Sequence, residues 1–138
     1  NKKIISATES KLKVIFCIGE TSKQKRKKLT KKILLSQLRK GLQKVKNKKN
    51  ILIAYEPVWS IGSGIIPKSQ DLENTTNFIK LFLINNMKFK NPKILYGGSV
   101  NTKNISLLKK ITNLDGFLIG GASQNSNKFI DIIKKTFN

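Results

Sequence analysis

The sequence predicts an α/β protein built on a parallel sheet. Four apolar runs, at residues 13–19, 51–55, 93–96 and 115–119, are each followed by a stretch with the apolar spacing of a helix. The runs are continuously apolar, which is typical of strands in a parallel sheet that is covered on both sides. The strand–helix alternation itself fits both a doubly wound sheet and a barrel.

The predicted helices follow the strands in a regular order. The chain starts inside what resembles the end of a helix, over residues 2–10, and further helices are predicted near 23–46, 69–86, 102–110 and 126–137. Ser69 is expected to cap the helix near 69–86, with Asp71 and Glu73 in its first turn. Ser123 and Ser126 are expected to cap the helical turns that follow them.

Glycine-rich turns after the last two strands favour the barrel. Gly97-Gly98-Ser99 and Gly120-Gly121-Ala122 lack bulky side chains where backbone N–H groups could hold a phosphate. In eight-stranded (β/α)₈ barrels, the loops after the last strands commonly build such a site. A whole barrel needs about 250 residues, so the 138 residues of this chain are close to half of one. Taken singly, each turn is equally well explained as a tight connection.

A single carboxylate, Glu56, ends the strand at 51–55 and is followed by an unusual loop. Pro57 stops the strand ladder because it has no N–H. The loop then carries Val58, Trp59 and Ile61 before two glycines, a composition suited to a lid that closes over a ligand. The apolar neighbours of Glu56 suit a base that takes a proton from carbon. A surface glutamate paired with a lysine is the less favoured interpretation.

The formal net charge of +21 raises the question of nucleic-acid or acidic-membrane binding. The lysines are spread over every segment, and arginine occurs only at Arg26 and Arg39, so neither partner is expected. No apolar run approaches the about 18 residues of a membrane span. With no histidine and no Cys/Asp cluster at metal-ligand spacing, no metal site is expected. The single cysteine, Cys17, is expected to be buried in the core, in a protein of a reducing compartment.

Four segments resemble the triosephosphate isomerase family, in the same order along the chain. They are Val14–Glu20, Ala54–Gly64, Tyr96–Val100 and Asp115–Ser123, and the second is similar to the family's catalytic-base strand and mobile lid. The resemblance covers residues 1–138 and only the second half of the family's chain, strands 5 to 8 of the TIM barrel. It implies that residues 1–138 are the C-terminal half of a single TIM-barrel domain and a fragment of a gene product.

The resemblance also implies an activity and a set of site residues. The activity is the interconversion of dihydroxyacetone phosphate and glyceraldehyde 3-phosphate in glycolysis and gluconeogenesis, by a cytoplasmic homodimer that needs no cofactor. Glu56 is the implied catalytic base. The implied phosphate-binding residues are Gly62, Ser99, Gly120 and Gly121. The implied lid and its support are Trp59, Ile61, Ser63, Gly64, Tyr96 and Glu20, where Glu20 accepts a hydrogen bond from the indole of Trp59.

The chain departs from the family pattern at several points. The family's electrophilic histidine, its active-site lysine and its dimer interface belong to the missing half, so the isolated chain is expected to be inactive and poorly soluble. Pro67 cannot donate the backbone N–H that meets the hydroxyl matching Tyr96 in many relatives. Lys80 stands where relatives place the arginine that pairs with the aspartate matching Asp115.

Two alternatives to the isomerase remain open at this point. One is another sugar-phosphate barrel enzyme with the same phosphate loops, which the lid sequence disfavours. The other is a catalytically silent half-barrel that binds phosphate or, through its lysines, nucleic acid.

Overall fold

A computed structural model describes residues 1–137 and confirms the parallel sheet. The strands are β1 (Val14–Ile18), β2 (Ile51–Tyr55), β3 (Lys93–Tyr96) and β4 (Gly116–Phe117). They lie side by side in sequence order, and every neighbouring pair is parallel. A doubly wound sheet reverses its strand order at a switch point. The sequential strand order β1-β2-β3-β4 therefore favours a barrel over a doubly wound sheet, and four strands of the barrel are present.

Six α-helices alternate with these strands in the described residues. They are α1 (Lys2–Glu9), α2 (Ser22–Arg26), α3 (Thr30–Leu42), α4 (Ser69–Met87), α5 (Ile105–Leu108) and α6 (Ser126–Phe137). Two 3₁₀ turns, Val58–Ser60 and Gly121–Gln124, follow β2 and β4. Helix α5 and strand β4 are shorter than the predicted 102–110 and 115–119.

The prediction of a single helix near 23–46 is wrong. The chain breaks it into α2 and α3 at Lys28, which adopts a left-handed conformation with φ 57°. Lys28 N–H donates to the Lys25 carbonyl and Leu29 N–H to the Gln24 carbonyl, which closes the end of α2. The run Lys25-Arg26-Lys27-Lys28 contains neither glycine nor proline, so the sequence gives no sign of this break.

Two predicted caps are also wrong. Ser69 is the first residue of α4, and the preceding Lys68 occupies the N-cap position without a side-chain hydrogen bond. Ser126 is the first residue of α6, whereas Asn125 Oδ1 accepts the hydrogen bond from Lys128 N–H at 3.0 Å. In both cases the helix begins one residue earlier than expected from its serine. Glu73, expected in the first turn of α4, lies beyond it and accepts from Thr112 Oγ1 at 2.7 Å.

The hydrophobic core lies between the sheet and the helices. Helix α3 packs against α4 and β1, and α4 packs against β3; their fully buried side chains include Leu34, Leu38, Leu72, Ile79 and Leu83. Burial of such side chains is worth about 1.5–3 kcal/mol each. This packing supports the sheet, and the candidate site lies at the ends of β2 and β3.

Strand β1 is not covered on both sides, which corrects two expectations. Ile15 is 48% exposed and Cys17 is also exposed, whereas Ile18 is 2% exposed. The exposed side chains alternate along β1, so one whole face of the strand is open. Four strands enclose only half of a barrel interior, and the inward-pointing residues of the outermost strand then have no facing layer. The prediction that Cys17 lies in the core is therefore wrong for this chain.

Candidate active site

Glu56 lies directly after β2, where the backbone of β1 holds it in place. Its N–H donates to the Ile18 carbonyl at 2.8 Å, and its side chain is half-buried. Two glycines make room for it. A Cβ at Gly19 would stand 1.8 Å from the Glu56 carbonyl oxygen, and a Cβ at Gly97 would stand 2.7 Å from its Oε1. Any side chain at position 97 would thus displace the carboxylate.

A cavity of about 590 Å³ brings the predicted base and phosphate-binding residues together. Its lining comprises Glu56, Ile61, Gly62, Gly64, Gly98, Ser99, Val100, Asn101, Thr102, Lys103, Leu118, Gly120, Gly121, Ala122 and Lys128. The volume is in the range of small-molecule sites. A Cβ at Gly62, Gly120 or Gly121 would meet no atom within 4 Å. Because these three residues have no side chains, their backbone faces open space, and an anion can approach it closely.

The start of the lid is attached to the end of β1 through Glu20. The Trp59 Nε1–H group donates to Glu20 Oε1 at 2.9 Å, so the hydrogen bond predicted from the resemblance is present. The Tyr55 hydroxyl donates to the two carboxylate oxygens at 3.3 and 3.2 Å. Glu20 is only 1% exposed. Burial, followed by the charge of Glu20, raises the pKa of Tyr55 above its ordinary value, which keeps this hydroxyl a donor.

The lid tip is hydrogen-bonded to the loop that follows β3. Gly64 N–H donates to Ser99 Oγ at 2.9 Å, and Ser99 Oγ donates to the Ser60 carbonyl at 2.5 Å. Gly62 and Gly64 have φ of 67° and 76°, a conformation that glycine adopts without strain. Ser63 Oγ steadies the turn by donating to the Ser60 carbonyl and accepting from Ile65 N–H. The lid is therefore closed over the cavity in this structure.

Ser60 is a lid residue that the sequence did not single out. It is fully buried, and its Oγ lies 2.9 Å from the Tyr96 hydroxyl and donates to the Ile65 carbonyl at 2.5 Å. The hydroxyl of Tyr96 is thereby occupied although Pro67 has no N–H to offer it. Burial raises the pKa of Tyr96 to about 12, against the opposing effect of its hydrogen bond with Ser60.

Two asparagines that sequence reasoning also missed hold Ser99. The amide groups of Asn101 and Asn104 donate to the Ser99 carbonyl at 3.1 and 2.9 Å. Asn104 Oδ1 accepts from Asn101 N–H, and Asn101 Oδ1 accepts from Lys103 N–H. Ser99 itself has φ 48°, an unusual conformation for serine. The Asn-X-X-Asn spacing after a glycine turn is the signal that could have indicated this support.

The sequence comparisons agree with this geometry. A family model described as "Triosephosphate isomerase" matches residues 1–136. The chain belongs to the triosephosphate isomerase family. It is 41% identical to the triosephosphate isomerase of Thermodesulfovibrio yellowstonii over 136 residues, which are 97% of this chain and 55% of that relative. The relatives from Yarrowia lipolytica and Zygosaccharomyces bailii are 41% and 43% identical, over 92% and 87% of this chain.

The chain spans about half the length of the curated relatives of this family that it matches, between 49% and 55% for these three. Family membership and the barrel fold predicted from the four motifs are thus confirmed, and the matched part is about half of a family member. None of the helices in the described residues is long and apolar enough to cross a membrane.

Cys17 lies beside Glu56 on the exposed face of β1. Partial burial, then the hydrogen bond and charge of Glu56, raise the pKa of the Cys17 thiol to about 12. The thiol therefore stays protonated at neutral pH and is a poor nucleophile. Residues 1–137 contain no group of three or more His, Cys, Asp or Glu side chains placed to hold a metal ion.

Proposed function

We propose that the intact protein is a triose-phosphate isomerase that interconverts dihydroxyacetone phosphate and glyceraldehyde 3-phosphate. One observation carries this proposal. A lone carboxylate, Glu56, and side-chain-free backbone at Gly62, Gly120 and Gly121 line one cavity beneath a lid. A base at one end and an anion site at the other match a small phosphorylated substrate with an acidic C–H bond.

Glu56 takes the proton in this mechanism. Its carboxylate removes a proton from the carbon beside the substrate carbonyl, which leaves an enediolate, and returns the proton to the neighbouring carbon. The closed lid keeps water from the intermediate, because Ser99 and Ser60 hold its tip and its start together. The bond from Glu56 N–H to the Ile18 carbonyl and the space left by Gly97 aim the carboxylate into the cavity.

Backbone N–H groups of Gly62, Ser99, Gly120 and Gly121 are the proposed phosphate ligands. Neutral donors on fixed loops bind a phosphate without the cost of ordering long side chains. Lys103 and Lys128 line the same cavity and add positive potential at this end. This chemistry needs neither a metal nor another cofactor, since a carboxylate and hydrogen-bond donors are sufficient to move a proton between adjacent carbons.

We further propose that residues 1–138 are the C-terminal half of one TIM-barrel domain. The remaining strand–helix units would supply the group that polarises the substrate carbonyl and the contacts of a homodimer, and we place the enzyme in the cytoplasm. Support comes from apolar side chains that lack a facing layer. Ile15 on β1 is 48% exposed, and Ile133 and Phe137 on α6 are 42% and 84% exposed.

The decisive experiment is a steady-state isomerisation assay on the intact protein in both directions. We expect saturable turnover of both triose phosphates and competitive inhibition by a phosphate dianion of substrate size. Faster turnover of a longer sugar phosphate would assign the protein to another class of barrel enzyme. Inhibitor binding without turnover would favour the silent phosphate-binding alternative.

A further inference from the structure

We propose that Lys25 is a positioning residue that holds the lid closed through the face of Trp59. The Lys25 Nζ lies 3.5 Å from the centroid of the Trp59 ring, within the about 6 Å over which a cation is attracted to an aromatic face. Tryptophan is the side chain that forms this interaction best. The inference deepens the proposed function and rests on it, since it concerns the lid of the same site.

The contact completes a two-sided attachment of the indole. Its edge donates Nε1–H to the buried carboxylate of Glu20 at 2.9 Å, while its face lies under the ammonium of Lys25. An aromatic ring is electropositive at its edge and electronegative on its face, so each partner meets the part of the ring that attracts it. Both partners belong to the segment after β1, and Trp59 belongs to the lid.

Lys25 differs from an ordinary surface lysine because its helix is locally fixed. Helix α2 is only five residues long and buries none of them. It is closed by a capping box in which Thr21 N–H donates to Gln24 Oε1 at 2.8 Å and Gln24 N–H donates to Thr21 Oγ1 at 3.3 Å. The capping box fixes Gln24, the residue before Lys25. The backbone at Lys25 is then already ordered, so placing its ammonium over Trp59 costs less conformational entropy.

Loss of the charge should shift the lid toward the open state. Exposed cation–π contacts are worth enough to change an equilibrium by about two- to fivefold. The hydrogen bond between Gly64 and Ser99 at the lid tip would remain. We therefore expect a moderate shift in the closed population, with the fold and the phosphate-binding loops intact.

The test measures the lid directly in the intact protein. Tryptophan is replaced by 5-fluorotryptophan, the Trp59 resonance in the ¹⁹F NMR spectrum is assigned with a Trp59→Phe variant, and inorganic phosphate is titrated as the probe. We expect Lys25→Met to lower the ratio of closed to open lid about two- to fivefold, whereas Lys25→Arg should restore it. Lys23→Met, which removes the same charge from an exposed position of α2, is the matched control and should leave the closed fraction unchanged.

A Lys25→Met protein with the wild-type closed fraction would overturn the proposal, and so would an equal loss in Lys23→Met. An unfolding midpoint that falls in Lys25→Met without a change in the lid signal would likewise overturn it, because a merely structural role predicts that result. The readout uses phosphate binding and not turnover. A protein without isomerase activity would therefore refute the proposed function while the lid measurement still decides the role of Lys25.

Discussion

At the residue scale, the candidate site depends on what glycine permits around Glu56. A Cβ at Gly19 would overlap the backbone carbonyl of Glu56, and a Cβ at Gly97 would overlap its carboxylate. Gly62, Gly120 and Gly121 instead face open space. Glycine thus serves two purposes at one site. It gives room for the base in the first case and bare backbone for an anion in the second.

Glu56→Gln should separate catalysis from binding in the intact protein. The amide keeps the size of the side chain but cannot take a proton from carbon, so kcat should fall by at least about 10²–10⁴-fold. The dissociation constant of a substrate-sized phosphate inhibitor should change little, because its ligands are backbone N–H groups. Glu20→Gln is the control and should reduce kcat far less. Near-normal kcat in Glu56→Gln would mean that the base is misidentified.

The two hydroxyls that hold the lid should contribute unequally. Ser99 Oγ joins Gly64 N–H to the Ser60 carbonyl, whereas the Tyr96 hydroxyl forms one hydrogen bond in the described residues, with the Ser60 hydroxyl. Ser99→Ala removes two hydrogen bonds across the closed lid and should lower kcat/KM more than Tyr96→Phe does. Steady-state kinetics of the two variants provide the measurement. Equal losses would contradict this account of lid closure.

At the scale of elements, lysines occupy positions where the chain turns left-handed. Lys28 ends α2 with φ 57°, and Lys88 follows α4 with φ 57°. After α4, the N–H groups of Lys88 and Phe89 both donate to the Leu83 carbonyl, and the buried Phe89 side chain covers the helix end. A left-handed lysine costs about 1–2 kcal/mol that glycine does not lose, so both positions carry a backbone strain that glycine would relieve.

Lys88→Gly should stabilise the intact protein. Relief of the left-handed strain exceeds the greater unfolded-state entropy of glycine, and the expected net gain is about 0.5–1 kcal/mol in the free energy of unfolding. Lys90→Gly, at an exposed position without positive φ, is the control and should not stabilise. Urea unfolding of both variants measures the difference. A loss of stability in Lys88→Gly would show that the lysine side chain has another role there.

Asp115 joins β3 to β4 and should make stability depend on pH. Burial acts to raise its pKa, but the hydrogen bonds from Lys93 at 2.8 Å and from Ile94 N–H, with the charge of Lys80, hold the pKa below its ordinary value. The Lys80 pairing suspected from the sequence is present but longer, at 3.7 Å. Lys93 is thus the closer partner.

The sign of the effect follows from the lowered pKa. The contribution of Asp115 should be complete above the unfolded-state value of about 3.9 and should be lost as pH falls through the lower folded-state value. Asp115→Asn should therefore be less stable than the wild type at pH 7, and the gap should narrow in acid. Unfolding free energies at several pH values test this, and a gap that is constant with pH would contradict it.

At the scale of the whole molecule, open apolar surface coexists with a large positive charge. The outer strand β1 and helix α6 expose Ile15, Ile133 and Phe137, while the formal net charge is +21. Unpaired strand edges and uncovered apolar faces favour association. Mutual repulsion of like-charged chains opposes it and weakens as salt is added.

The 138-residue chain alone should therefore be inactive and prone to association. We expect no triose phosphate isomerisation above the buffer background, because under the half-domain proposal the carbonyl-polarising group belongs to the other strand–helix units. Association should increase between 50 mM and 500 mM salt as the repulsion is screened. Light scattering and the coupled isomerase assay are the measurements. A monodisperse and active 138-residue chain would contradict the half-domain proposal.

The sequence by itself determined the features that local chemistry controls. Continuous apolar runs located the strands, Pro57 placed Glu56 at a strand end, and the glycine turns after β3 and β4 located the cavity lining. Each of these depends on a residue and its immediate neighbours, so a single sequence is sufficient to reveal it. The contact between Glu20 and Trp59 came from the family resemblance.

Only the tertiary structure decided which surfaces are covered and which distant groups meet. Cys17 has the sequence environment of a core residue but lies on a face that four strands leave open. The loop position of Ser60 predicts an exposed side chain, yet the side chain is buried and hydrogen-bonded to the Tyr96 hydroxyl. Lys25 meets Trp59, 34 positions along the chain, from a short helix that the break at Lys28 separates from α3. Burial and such contacts depend on segments far apart in sequence, and the local pattern carries no information about their distance in space.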